Sequence, residues 1–215
     1  MTTLIRPELE QLPNRMKNLA IDERGYPVPW FVAWRDGKPE FRAMDGEKWL
    51  QAIRFRKCWT CGERLGRRMT FVAGPMCGIN RTSSEPPSHL ECARWSARNC
   101  PFLNNPDAVR RYDEEVTPQE KIVGGFSISR NPGVTMLWTT STYDVFPDGL
   151  GGRLCHMGEP QSVEWFHRGR PATREEIMRS VNTGIGVLEN MARKEDGGLA
   201  YLAEQKERFM LWVPE

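Results

Sequence analysis

Two short runs, Cys58-Trp59-Thr60-Cys61-Gly62 and Ser88-His89-Leu90-Glu91-Cys92, constrain this chain more than any other feature. A zinc ion takes four soft or borderline ligands in a tetrahedron, and C-x-x-C delivers two thiolates from one tight turn. Gly62 suits a turn in which backbone N–H groups point at the sulfurs. H-x-x-C is an i, i+3 pair, which sets both side chains on one face of a helix's first turn. Ser88 and Glu91 read as an S-x-x-E capping box, an independent signal for a helix start at that point. Between the pairs, residues 67–75 form a β-prone run stopped by Gly74-Pro75. Cys58, Cys61, His89 and Cys92 are therefore the candidate metal ligands. A metal held by both pairs requires residues 58–92 to fold so that the two runs meet at one point.

A turn carrying two ligands, a strand or hairpin, and a helix whose first turn returns two more resembles the treble-clef zinc module. Five of the six cysteines fall between Cys58 and Cys100, which scattered buried residues would not produce. The first residues lack the apolar core of a signal peptide, and no apolar run approaches a membrane span. The expectation is a cytoplasmic protein without membrane association, where paired cysteines bind metal more often than they form disulfides. A redox-active C-x-x-C is disfavoured because no βαβ pattern surrounds it. Ligand identity stays open at one vertex: Cys77 in place of His89 gives an all-thiolate site, and Cys100 is a further alternative. Clustered thiols also leave an iron–sulfur cluster as the alternative cofactor, although the spacing does not match the common ferredoxin runs. Zinc with four protein ligands is closed and structural. Two catalytic readings fail on specific residues. The nucleobase deaminase pattern needs its C-x-x-C after H-x-E, and here it comes before. An HNH-type nuclease needs a histidine near its first strand, and residues 62–88 contain none.

A net charge of +2 hides an uneven distribution. Residues 51–111 hold eleven Lys/Arg and four Asp/Glu, while the remainder is acidic. A basic metal module in an acidic body is an electrostatic footprint of nucleic-acid contact, and Arg64, Arg67, Arg68, Arg81, Arg94 and Arg98 are the candidates. The competing explanation is that these arginines balance the negative charge of a thiolate site. Asp148-Gly149-Leu150-Gly151-Gly152 matches neither G-x-G-x-x-G nor a P-loop, so no nucleotide cofactor is indicated. Asp144, Asp148, Glu159 and Glu164 could cluster, but spacing alone does not place them.

The rest of the chain reads as α+β: a β-hairpin and small sheet, C-terminal helices, and the embedded metal module. Asp36-Gly37 between two β-prone runs signals a hairpin that sets Val32 opposite Phe41 and Trp30 opposite Ala43. Trp30, Val32, Trp34 and Trp49 are expected to pack as a core against the metal module, with a short helical run at Trp49–Ile53. Strands are expected at 122–128 and 134–140, from their β-branched and aromatic residues. Thr173-Arg174-Glu175-Glu176 is a second capping box. It opens an apolar stripe that Gly184 is expected to end, followed by two more stripes through residues 187–192 and 199–210. Glu164-Trp165-Phe166-His167-Arg168-Gly169-Arg170-Pro171 carries cationic and aromatic groups and reads as an amphipathic helix end, with a contact surface as the alternative. Cys155-His156 lacks the spacing of a second metal site. The organisation expected is 1–57, an N-terminal hairpin and helix; 58–105, the zinc-binding module; and 106–215, an α+β part that continues into one domain if the segments interlock.

Several strings carry a resemblance: Gly25-Tyr26-Pro27-Val28-Pro29-Trp30-Phe31-Val32, Gly74-Pro75-Met76-Cys77, Pro86-Pro87-Ser88-His89, Cys100-Pro101-Phe102-Leu103 and Gly169-Arg170-Pro171-Ala172-Thr173-Arg174. Together they resemble a group of uncharacterised proteins carried by bacteriophages and other bacterial mobile elements, over most of the chain. The resemblance implies the cytoplasm of a bacterial host cell and a setting in phage–host takeover, counter-defence or DNA metabolism. Two functional classes follow. One is a zinc-stabilised adaptor or inhibitor of a host protein or nucleic acid. The other is an enzyme acting on nucleic acid or nucleotides, with the zinc as scaffold. No sequence feature specifies the oligomeric state.

Overall fold

Asp36 and Gly37 turn the chain back on itself with φ of 50° and 74°, the left-handed pair that a two-residue hairpin turn requires. The computed structural model describes residues 4–108 and 131–215. The turn joins β1 (Val32–Arg35) to β2 (Lys38–Met44), with Arg35 opposite Lys38, Trp34 opposite Pro39 and Ala33 opposite Glu40. The expected register then breaks. A bulge moves Val32 opposite Met44 instead of Phe41, and Trp30 lies before the strand. Val32 and Trp49 are fully buried as expected, whereas Trp34 is 47% exposed. Asp45 accepts a hydrogen bond from the Lys48 amide and starts α1 (Gly46–Phe55), which ends at Arg56 in a left-handed conformation.

After the first cysteine pair come β3 (Met69–Ala73), α2 (Pro75–Asn80) and the short β4 (Thr82–Ser83). Pro75 at the first position of α2 explains how Gly-Pro stops the strand and starts a helix in one step. Next come α3 (Leu90–Asn99) and α4 (Pro101–Asn104). The strands expected at 122–128 lie outside the described residues. The chain resumes in β5 (Thr135–Thr140), β6 (Tyr143–Pro147), β7 (Arg153–Met157), β8 (Pro160–His167) and β9 (Arg170–Pro171), followed by α5 (Arg174–Ala192) and α6 (Gly198–Met210). The architecture is α+β, as the sequence implies.

All six residues of β5 are buried, because helices cover both faces of its sheet. The antiparallel order is β3-β5-β8-β9. Met136, Trp138 and Trp165 face one side and pack with Ile79 of α2, Ile177 of α5 and Phe209 of α6. Leu137 and Phe166 face the other and pack with Ala93 and Ala97 of α3. Trp165 meets Phe209 edge to face at 5.7 Å. This alternation is why Glu164–His167 is strand and not helix end: Trp165 and Phe166 serve opposite layers. A second antiparallel sheet, β4-β7-β6, turns Cys155 and Met157 into the main core. β3 belongs to the segment between the metal-ligating pairs, yet its strand partner β5 comes from the C-terminal part.

Two expectations for the C-terminal helices are resolved in opposite ways. The Thr173 capping box forms: its hydroxyl accepts from the Glu176 amide, and the Glu176 carboxylate accepts from the Thr173 amide at 2.9 Å. Gly184 does not end the helix, and α5 runs through it to Ala192. A Cβ there would lie 3.0 Å from Met76, so glycine permits close approach of α2. Gly78 does the same from the other side. Its added Cβ would stand 2.6 Å from Phe209 and 2.8 Å from the Met136 sulfur. Gly78→Ala should therefore lower stability by about 1–3 kcal/mol through overpacking, although Gly→Ala in an open helix would raise it; denaturant melts would check the sign. Hydrogen bonds from Arg170 hold the Glu176 carboxyl down at about 2, helped by the Thr173 amide and His167. A depressed folded-state value stabilises above the ordinary range and is lost on acidification. Glu176→Gln should thus cost about 1 kcal/mol at neutral pH and almost nothing near pH 2, as read from melts across pH.

Candidate metal centre

The first ligand pair sits on a tight turn built from backbone hydrogen bonds. Cys58 N–H donates to Glu63 at 2.7 Å, Gly62 N–H to Cys58 at 2.8 Å, and Leu65 N–H to Arg56 at 2.7 Å. Gly62 has φ 77°, and a Cβ on it would lie 2.6 Å from the Trp30 ring. Both facts require glycine at that position. The turn is fastened to the segment before α3. Thr60 and Ser88 hydroxyls are 2.9 Å apart, and Ser88 also accepts from the Thr60 amide. Thr70 and Ser88 exchange two backbone hydrogen bonds of 2.9 and 2.7 Å, a bridge between β3 and the approach to the helix.

This corrects the capping-box reading of Ser88 and Glu91. The N-cap of α3 is His89, and no side chain caps it. The Ser88 hydroxyl is engaged by Thr60, and Glu91 pairs with Arg15 at 2.8 Å. The helix still starts where expected, with His89 at its mouth and Cys92 in its first turn.

Ligand atoms of Cys58, Cys61, His89 and Cys92 lie within 4.8 Å of one another. The Cys61 sulfur is 3.4 Å from Nδ1 of His89. A tetrahedron of Zn–S bonds of about 2.3 Å and one Zn–N bond of about 2.0 Å has edges of roughly 3.5–3.8 Å; the Cys61–His89 separation fits one such edge, and the remaining separations stay within 4.8 Å. The opposite ring nitrogen, Nε2, is 3.1 Å from the Arg64 carbonyl. Nε2–H donating there leaves Nδ1 as the lone-pair donor, the outer-shell arrangement that fixes a ligating histidine. Two amides, Cys61 at 3.4 Å and His89 at 3.3 Å, donate to the Cys58 sulfur. Cys58 and Cys92 are fully buried, with Leu12, Met16, Leu65, Met69 and Trp95 around them. Leu12 and Met16 come from the N-terminal segment. It is pinned across the site by Trp95 Nε1–H donating to the Glu10 carbonyl at 3.1 Å and by Asn99 accepting from the Glu10 amide at 2.9 Å. Arg15 bridges Glu63 beside one ligand pair and Glu91 inside the other, at 2.7 and 2.8 Å.

The ligands themselves perturb one another's proton affinities. Burial opposes a charge on Cys58, but hydrogen bonds from Cys61, Cys92 and His89 outweigh it and hold its thiol far below the usual range. Cys92 is driven the other way, first by its hydrogen bond to Cys58, then by Cys61 and by burial. Burial also opposes charge on His89, yet the Cys58 and Cys61 sulfurs outweigh it and raise the ring to about 10. Without metal the cluster thus keeps protons on Cys92 and His89 at neutral pH.

The alternative ligands lie elsewhere. Cys77 sits in α2 and packs against the main core, and Cys100 is the C-cap of α3. Neither belongs to the quartet, and Cys155-His156 lies in β7. The quartet's three sulfurs and one nitrogen are not the four thiolates of a common iron–sulfur site. Among the described residues no other group of His, Cys, Asp or Glu stands within metal-ligating reach. The four acids considered above are not gathered into one. Glu159 pairs with Arg81 and Arg208, Glu164 with Arg94 at 2.7 Å, and Asp148 accepts from amides in its own loop. Three of the six candidate arginines are thereby engaged: Arg81 by Glu159, Arg94 by Glu164, and Arg98 by Glu10 at 3.7 Å and the Phe166 ring. Arg64, Arg67 and Arg68 are exposed. No helix among the described residues is long and apolar enough to cross a membrane.

Comparison of the chain with protein-family models, with curated proteins and with solved structures returns no match.

Cys58→Ser should abolish stoichiometric metal binding, whereas Cys77→Ser and Cys100→Ser should each keep about one metal per chain, measured by elemental analysis. Because binding expels protons from His89 and Cys92, apparent metal affinity should fall steeply as pH falls, up to about tenfold per unit for each proton displaced. Competition with a chromophoric chelator across pH would measure the slope.

Proposed function

We propose that the chain is a zinc-stabilised binding protein, an adaptor or inhibitor, in which the metal is structural and organises a treble-clef-like module. One observation carries this reading: the ligand atoms of four side chains, Cys58, Cys61, His89 and Cys92, lie within 4.8 Å of one another, and Cys58 and Cys92 are fully buried. Zinc held by four protein ligands keeps no position for water or substrate. Three thiolates and a neutral imidazole are also the borderline-soft set that zinc shares with few other biological ions. The treble-clef likeness rests on the order of parts. A ligand-bearing turn is followed by β3, which bridges Ser88 through Thr70, and then by the helix start that returns His89 and Cys92. Here α2 and β4 are inserted between strand and bridge. The phage or mobile-element setting suggested by the sequence strings fits a binder of host components.

Magnitude supports a folding role. Structural zinc sites contribute about 10–16 kcal/mol in small modules, comparable to the whole stability of a typical domain, about 5–15 kcal/mol. Cobalt substitution tests the closed site. The Co(II) protein should show the intense visible bands of a tetrahedral thiolate site, unchanged by added azide or cyanide. A spectrum that shifts with those anions would mean an open coordination position and overturn the structural assignment.

A further inference from the structure

We infer that the basic end of the metal module is a binding site for single-stranded nucleic acid, made by Arg54, Phe55, Arg56, Arg64, Arg67 and Arg68. The inference rests on the structural reading of the metal, which holds these residues in place. Backbone pairing brings them together. Lys57 bridges Arg64, Leu65 N–H donates to the Arg56 carbonyl, and the Arg56 guanidinium lies 3.2 Å from the sulfur of Met69, the residue after Arg68. The end of α1, the ligand turn and the lead into β3 thus share one surface.

Charge balance separates this surface from mere compensation of the metal site. Zinc with three thiolates and a neutral histidine carries a net charge of −1. Residues 54–68 contain six Lys/Arg and one Asp/Glu, Glu63, which shares Arg15 with Glu91. Among the described residues, Arg54, Arg64, Arg67 and Arg68 make no ion pair with a carboxylate, in contrast to Arg81, Arg94 and Arg98. The surplus is several cations on exposed side chains. Such a surplus suits an acidic polymer whose charges recur along its length, and a phosphate backbone is that polymer. Phe55 is 52% exposed amid this charge, with the Arg54 guanidinium 5.2 Å from its ring centroid. Arginine-flanked aromatic rings stack unpaired bases whatever the sequence, which favours a single strand over a duplex. The thiolate site beneath needs no contact with the ligand. It fixes the Arg64 carbonyl on His89 and so sets where the arginines project.

Fluorescence anisotropy of the zinc-loaded full chain with labelled oligo-dT, oligo-U and a mixed-sequence duplex would test this. Salt-sensitive binding of the single strands, tighter than the duplex, is expected. The combined Arg64→Ala, Arg67→Ala, Arg68→Ala variant should weaken it tenfold or more at about 100 mM salt and flatten the salt slope by about two. Phe55→Ala should weaken single strands more than duplex. Arg193→Ala with Lys194→Ala, at the far end of α5, should leave binding unchanged. Metal content and melting temperature of each variant, measured on the same samples, keep loss of fold distinct from loss of contact. A zinc-replete, folded protein that fails to bind, or a triple variant that binds like the parent, overturns the proposal and leaves the structural-metal reading standing. Duplex preference overturns the single-strand assignment and with it the stacking role of Phe55. An oligo-dT over oligo-U preference, or the reverse, identifies which nucleic acid is bound and supports the proposal either way.

Discussion

Four ligand atoms within 4.8 Å of one another cannot stay together unless something offsets the cost of gathering them. Burial opposes ionisation of Cys58, and hydrogen bonds from Cys61, Cys92 and His89 outweigh it. A tetrahedral cation bound there would neutralise the sulfurs and replace those hydrogen bonds with metal–ligand bonds. Much of the surrounding structure serves that point. The ligand turn is shaped by Gly62 against Trp30, the helix mouth is held by Ser88 against Thr60 and Thr70, and the N-terminal segment closes over the sulfurs through Leu12 and Met16.

The metal-ligating segment is also part of the main sheet. β3 lies between the two ligand pairs and is hydrogen-bonded along its length to β5, the strand buried on both faces. α3 begins at the candidate metal site and packs Ala93 and Ala97 on Leu137 of that same strand. Any shift of α3 at that site is therefore felt in the sheet core, where packing tolerates little change. The exposed arginines at the other edge inherit their positions from the same frame. The turn that carries Cys58 and Cys61 also carries Arg56 and Arg64.

Local chemistry was legible in the sequence wherever a short pattern determined it. C-x-x-C-G and H-x-x-C gave the quartet, Asp36-Gly37 the hairpin, and Thr173 with Glu176 a formed capping box. Where a pattern's residues had other partners, it misled. Ser88 and Glu91 spell a capping box, but Thr60 and Arg15 take them. Gly184 spells a helix stop, yet it is a contact surface for Met76. Glu164–His167 lacks clean alternation because both faces of β8 are covered, so period two is invisible in hydrophobicity alone. The hairpin register slipped at Val32 because a bulge, which no residue type announces, moves it opposite Met44. The N-terminal cover of the site was missed. Leu9, Leu12 and Met16 carry a weak apolar spacing that acquires meaning only beside Trp95. The Arg64 carbonyl as partner of His89 is a backbone atom, and no side-chain pattern signals it.

X-ray absorption at the metal edge of the purified chain tests the central claim most directly. Three sulfurs at about 2.3 Å and one nitrogen at about 2.0 Å, with no oxygen neighbour, are expected for zinc bound by Cys58, Cys61, His89 and Cys92. Four sulfurs, metal–metal scattering from a cluster, or a water oxygen in the first shell would contradict it.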